Sequence, residues 1–171
     1  IRDRFIVFDD ADIELASNIG AAIKFGNCGQ ICVAANRFFV HEKVFDEFMD
    51  KMISKAKQLK IGFNKELDFE IGPMITNKSK ERVLGLIKKT IENGGKLQYG
   101  GKSPEDLSQG NWIQPTVISG VTDKMSIFHE EIFGPVASLI SFKTEDEVIK
   151  SANNTKYGCL SYTSDAADDG L

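Results

Sequence analysis

Histidine, cysteine, proline and tryptophan are all scarce in this chain. Its 171 residues include 2 His, 3 Cys, 4 Pro and 1 Trp. Three cysteines are too few, and odd in number, for a disulfide scaffold, so a reducing cytoplasm is the expected compartment. Cys28, Cys32 and a distant His41 fall short of the roughly four ligands a structural metal centre needs, so no metal is expected. There is no excess of positive charge either. Twenty-one Lys and Arg stand against 25 Asp and Glu, a net charge of −4. That balance disfavours a nucleic-acid partner and an anionic membrane surface. No apolar run approaches the roughly 20 residues of a membrane span. The opening Ile1-Arg2-Asp3-Arg4-Phe5 has no basic n-region and apolar h-region of a secretory leader. Neither Gly-x-Gly-x-x-Gly nor a P-loop occurs, so Gly94-Gly95 reads as a helix cap and Gly100-Gly101 as a turn. No internal repeat emerges.

What is present is core material in an alternating pattern. Hydrophobic residues make up 42% of the chain and 12 of them are Phe, which suffices for a packed core. Phe5-Ile6-Val7-Phe8 reads as a buried strand. Ile13, Ala16, Ile19 or Gly20, and Ile23 repeat at helical spacing, and Gly26-Asn27 ends that helix. Residues 37–41 read as a strand. A helix of about 17 residues follows from Lys43, with Val44, Phe45, Phe48, Met49, Met52, Ile53, Ala56 and Leu59 on one face. A further helix spans 77–93, with Val83, Leu84, Ile87 and Ile91 inward. Residues 96–99 read as a short strand and 112–118 as an extended stretch that Pro115 marks as irregular or edge. Residues 128–134 are turn-rich and 136–142 read as a strand. The next helix, 144–153, opens on a Thr144/Glu147 capping box. Residues 157–163 return to a strand, and the acidic tail 164–171 reads as frayed. Short strands alternating with amphipathic helices argue for an α/β domain with both sheet faces covered.

Two stretches could carry chemistry. Asn27-Cys28-Gly29-Gln30-Ile31-Cys32 lies between a helix and a strand, where α/β proteins place functional loops. Cys32 could be a nucleophile, because a thiolate attacks carbonyl carbon at neutral pH. Equally, both cysteines could be small buried hydrophobes, or Cys28 could close a disulfide with Cys32. His41 or His129 could pair with a cysteine, but nothing in the spacing favours it. In the second stretch, Glu130-Glu131-Ile132-Phe133-Gly134-Pro135-Val136, the carboxylates could act as acid and base or bind a sugar hydroxyl. They could also be a solvated turn entering a buried strand.

Taken together, these stretches resemble the aldehyde dehydrogenase superfamily. The resemblance runs from Phe25-Gly26-Asn27-Cys28-Gly29-Gln30-Ile31-Cys32 to Asn36-Arg37, and again over 130–136. FIVFDDAD at 5–12, Ile71-Gly72-Pro73, Gln114-Pro115-Thr116-Val117 and 152–158 agree in order, so residues 5–163 are covered. Ala35-Asn36-Arg37-Phe38-Phe39-Val40 and Pro135-Val136-Ala137 are most similar to the succinate-semialdehyde dehydrogenase branch.

The resemblance implies a three-layer αβα catalytic domain over residues 1–171, truncated at both ends. It implies that Cys32 is the catalytic thiol, its backbone N–H donating to the oxyanion. Glu131 would hold the nicotinamide ribose and Phe133 would lie beside the nicotinamide ring. Asn27 and Gln30 would shape the loop around the thiol, and Arg37 would tie that loop to the sheet. Cys28 stands where the family commonly has Thr, Ala or Gln, and could be a reversible redox partner of Cys32. Cys159 replaces a usual leucine and is expected in the core. The cofactor would be NAD or NADP and the partner a small-molecule aldehyde. The family's general-base glutamate, its Rossmann-like cofactor domain and its oligomerisation arm have no counterpart here. The isolated chain is therefore expected to be inactive, and to need a homo-oligomer or a missing cofactor domain. Two other readings stay open: a non-catalytic aldehyde-dehydrogenase-like module, and a thiol-redox or esterase remnant.

Overall fold

A computed structural model describes residues 3–63, 69–107 and 109–155. The expected strand at 157–163, Cys159 and the acidic tail lie outside the described residues. Among the described residues five strands form one sheet: β1 (Asp3–Val7), β2 (Ala35–His41), β3 (Lys96–Tyr99), β4 (Thr116–Ser119) and β5 (Val136–Phe142). Their order is β1-β2-β5-β4-β3. Neighbours pair in parallel except β3, which runs antiparallel to β4. All of β2 is buried, and all of β5 except Ser141. Strands at the centre of a parallel sheet are buried in this way because both faces are covered, and in β2 the burial includes Asn36, Arg37 and His41.

Five helices do the covering: α1 (Ile13–Phe25), α2 (Phe45–Gln58), α3 (Asn77–Glu92), α4 (Ser126–His129) and α5 (Glu145–Asn153). Successive strand residues point to opposite faces. Phe38 of β2 packs on Phe48 of α2, ring centroids 6.2 Å apart. Gly20 lets α1 settle on the same ring, since a Cβ there would stand 3.1 Å from Phe38 Cε1. Phe39 points the other way and meets Phe128 of α4 edge-on at 6.2 Å. The result is three layers, with α1 and α2 on one face and α4 and α5 on the other.

Several local expectations need correction. The 5–8 run is only partly buried, with β1 outermost among the described strands: Val7 is buried, but Ile6 and Phe8 are exposed. The buried face of α1 is Ile13, Ser17, Gly20, Ala21, Lys24 and Phe25, while Ile19 is exposed. Small residues on that face let the helix approach the sheet closely. On α3, Leu86 and Thr90 are buried and Ile91 is exposed. Thr90 tolerates this because its hydroxyl donates to Leu86 O at 2.7 Å. α2 starts at Phe45, after a short turn (Glu42–Val44) in which His41 Nδ1 accepts from the Lys43 N–H. Pro115 marks no edge, because β4 begins just after it and lies between β3 and β5. Thr144 caps α5 as expected, but Glu147 accepts from the Lys143 N–H, one residue earlier than a simple capping box. Arg37 joins β2 to α5. It is fully buried and donates to the carbonyls of Ser151 and Ala152 at 3.3 and 3.1 Å. A cation there complements the carbonyls at the C-terminal end of α5, where Ser151 O also accepts from the Asn154 N–H at 3.2 Å.

Candidate active site

α1 ends at Phe25, and the chain reverses through the turn Gly26–Gly29. Asn27, Cys28 and Gly29 all take left-handed φ values of 49°, 56° and 67°. Such residues persist only where the surroundings fix them. The turn is closed by Asn27 Nδ2 donating to Gln30 O at 3.2 Å and by the Gln30 N–H donating to Asn27 O at 3.1 Å. The Gln30 side chain reaches outward. Its Oε1 accepts from the Ile75 N–H at 3.0 Å and its Nε2 donates to Pro73 O at 3.4 Å. Asn27 and Gln30 thus close the turn after α1, and Gln30 joins it to residues 73–75.

The two cysteines take opposite roles. Cys28 is buried, with its Sγ 3.6 Å from Met74 Sδ, and burial pushes its thiol up to about 12. A thiol so placed stays protonated and inert at neutral pH. Cys32 is exposed. Both are free thiols. Neither histidine pairs with a cysteine: His41 Nε2 and His129 Nε2 contact the backbone carbonyls of Lys143 and Asp123. Among the described residues no group of three His, Cys, Asp or Glu could hold a metal ion.

The second motif lies directly against the first. A Cβ on Gly29 would stand 2.1 Å from Gly134 O and 2.9 Å from Pro135 N. Only glycine permits this backbone-to-backbone approach, and its positive φ demands glycine as well. Phe133, next to this contact, is left-handed at φ 43° and its ring is partly exposed. Glu131 is exposed. A cavity of about 760 Å³ has Asn27, Gln30, Pro73, Met74, Trp112 and Phe133 among its lining residues. Three of the sequence-read site residues thus share one hollow, and Cys32 and Glu131 lie outside its lining.

Sequence reading missed Lys24. It is 1% exposed, in the last turn of α1. Burial pushes its amine down to about 7, and the negative charge of Glu131 opposes that fall. The available signal was the series Ser17, Gly20, Ala21, Lys24, which has helical spacing but no large apolar side chain.

A family model described as the aldehyde dehydrogenase family matches residues 2–166. The chain belongs to the aldehyde dehydrogenase family. It is 47% identical over 154 residues to aldehyde dehydrogenase family 2 member B4, mitochondrial, of Arabidopsis thaliana, covering 90% of this chain and 28% of that protein. It is 40% identical over 158 residues to succinate-semialdehyde dehydrogenase [NADP(+)] 2 of Schizosaccharomyces pombe, covering 92% and 32%. A crystal structure of succinate-semialdehyde dehydrogenase from Burkholderia pseudomallei superposes with a TM-score of 0.88 at 39% identity, covering 92% of this chain and 32% of that one. The chain thus spans about a third of the length of these aldehyde dehydrogenases. No helix among the described residues is long and apolar enough to cross a membrane.

Proposed function

We propose that this chain is the catalytic part of an NAD(P)-dependent aldehyde dehydrogenase and that Cys32 is its nucleophile. The observation that carries the reading is the close seating of Gly29 on Gly134 and Pro135. It joins the cysteine loop and the Glu131–Phe133 segment, which are separated by about a hundred residues of chain.

The Cys32 thiolate attacks the aldehyde carbon, and a C–S bond forms to give a thiohemiacetal. The Cys32 backbone N–H donates to the oxygen that becomes negative. Glu131 and Phe133 would hold the nicotinamide riboside of NAD(P)+, which would supply the hydride acceptor for this carbon and so leave a thioester on Cys32. Water then attacks, the C–S bond breaks, and the acid and the free thiol are released. The residues present suit a nicotinamide riboside. Phe133 offers a partly exposed ring and Glu131 an exposed carboxylate, two residues apart on one segment. The ring suits the nicotinamide and the carboxylate suits ribose hydroxyls, with Asn27 and Gln30 holding the loop beside them. Cys28 is assigned no chemistry, because its protonated thiol is packed against Met74.

Succinate semialdehyde is the substrate we assign, from the Ala35-Asn36-Arg37 pattern and the similarity to two enzymes named for it. The reaction is placed in the cytoplasm, where thiols stay reduced. Turnover requires a cofactor fold that holds nicotinamide against the carbonyl carbon, supplied by further chain or by assembly with other copies. In the complete protein, Cys32→Ser abolishes aldehyde-dependent NAD(P)H formation, a fall of about a thousandfold or more. Cys28→Ser retains most of it. Persistent turnover in Cys32→Ser overturns the assignment.

A further inference from the structure

We propose that Asn36 and Arg82 are positioning residues for hydride transfer, holding from β2 and from α3 the backbone that presents Glu131 and Phe133. The proposal rests on the reading above, in which those two side chains meet the nicotinamide riboside.

The segment between α4 and β5 is neither helix nor strand, so no backbone ladder fixes it. Two side chains do so instead. Asn36 Nδ2 donates to Glu130 O at 2.9 Å, and Asn36 Oδ1 accepts from the Ile132 N–H at 2.8 Å. Arg82 Nη1 donates to Glu131 O at 3.0 Å, and Nη2 donates to Ile132 O at 2.5 Å. Four hydrogen bonds thus fall on three consecutive residues. The amide of Asn36 uses both a donor and an acceptor, and the guanidinium of Arg82 uses its fork.

Both holders are themselves anchored. Asn36 is buried in β2, and its own carbonyl accepts from Ser138 Oγ of β5 at 2.6 Å. Arg82 projects from α3, a helix whose core face is Val83, Leu86, Ile87 and Thr90. Arg82 itself is exposed, so the core does not need it. The residue after this clamp is Phe133, in the left-handed region. A bulky aromatic stays there only when its neighbours leave no alternative. On its N-terminal side the clamp supplies that restraint, and on its C-terminal side the Gly29–Gly134 contact does. Without the clamp, Phe133 is free to relax to an ordinary φ, and Glu131 turns with it. A misplacement of about 1 Å at the reacting centre costs on the order of a hundredfold in rate.

The test is made in the complete protein, with NAD(P)+ and succinate semialdehyde. Arg82→Ala is expected to lower kcat by about 10- to 100-fold. The primary isotope effect with aldehyde-deuterated substrate should rise as hydride transfer becomes limiting. Arg82→Lys, which can still reach one carbonyl, should recover part of both. Cofactor-free alkylation of Cys32 by iodoacetamide should stay within about twofold, because the thiol does not depend on the clamp. Asn36→Asp, which accepts from Ile132 but cannot donate to Glu130, should resemble Arg82→Ala. Arg82 variants with unchanged kcat and isotope effect, beside an inactive Cys32→Ser, overturn the clamp alone. An equal fall in kcat and alkylation rate also overturns it, since that means general collapse of the site. Turnover surviving in Cys32→Ser overturns the underlying functional reading instead.

Discussion

Gly29→Ala strikes the contact on which the site is built. The added Cβ would stand 2.1 Å from Gly134 O and 2.4 Å from Gly134 C. Ordinary contact begins near 3.4 Å, so the shortfall is about 1.3 Å. The obstructing atoms are backbone, so no rotamer change relieves the overlap. The two strands of chain must separate, or Gly29 must leave its φ of 67°. Holding alanine at that φ costs about 1–2 kcal/mol, and the overpacking about 1–3 more. A loss of about 3 kcal/mol in urea unfolding is expected, with turnover down about a hundredfold. Gly26→Ala is the matched control. Gly26 has φ −51° and nothing within 4 Å of its ideal Cβ. It should be neutral or stabilising by about 0.5 kcal/mol. If the two variants behave alike, the backbone contact does not organise the site.

Three further outcomes follow from other groups. Lys24 has a folded value of about 7 against an ordinary 10.5. The unfolded chain therefore holds a proton that the folded chain releases across that window, and stability rises with pH from about 7 to 10.5. The rise is bounded near 5 kcal/mol. Lys24→Met should flatten this slope and stabilise most at and below pH 7, and a slope unchanged in the variant would refute the burial account. Glu14 is held at about 2 by hydrogen bonds from Lys51 and Lys55, against an ordinary 4.5. Its contribution is present above 4.5 and lost as pH falls towards 2, so Glu14→Gln should remove a stability slope in that acid window. Disulfide-forming reagents at neutral pH should modify Cys32 in the folded protein and reach Cys28 only on unfolding, and equal rates would contradict the assigned burial.

Periodicity revealed most of the elements, because α2, β2 and β5 carry large apolar side chains at regular spacing. It failed where burial depends on smallness or position. The Ser17–Gly20–Ala21 face of α1 has no large apolar side chain to mark Lys24 as buried. Residues 5–8 look like a core strand, and only the strand order shows β1 outermost among the described strands. Cys32, Glu131 and Phe133 are proposed through motif resemblance, since spacing alone leaves each with a bland alternative. The Asn36–Arg82 clamp was invisible because its three parts meet only in the folded sheet.

The nucleophile itself can be observed. Rapid quenching of the complete protein during turnover, followed by peptide mass spectrometry, should find the acyl group of the substrate on the peptide containing Cys32. Undiminished turnover with no acyl group there, or with the acyl group on Cys28, would contradict the assignment of Cys32.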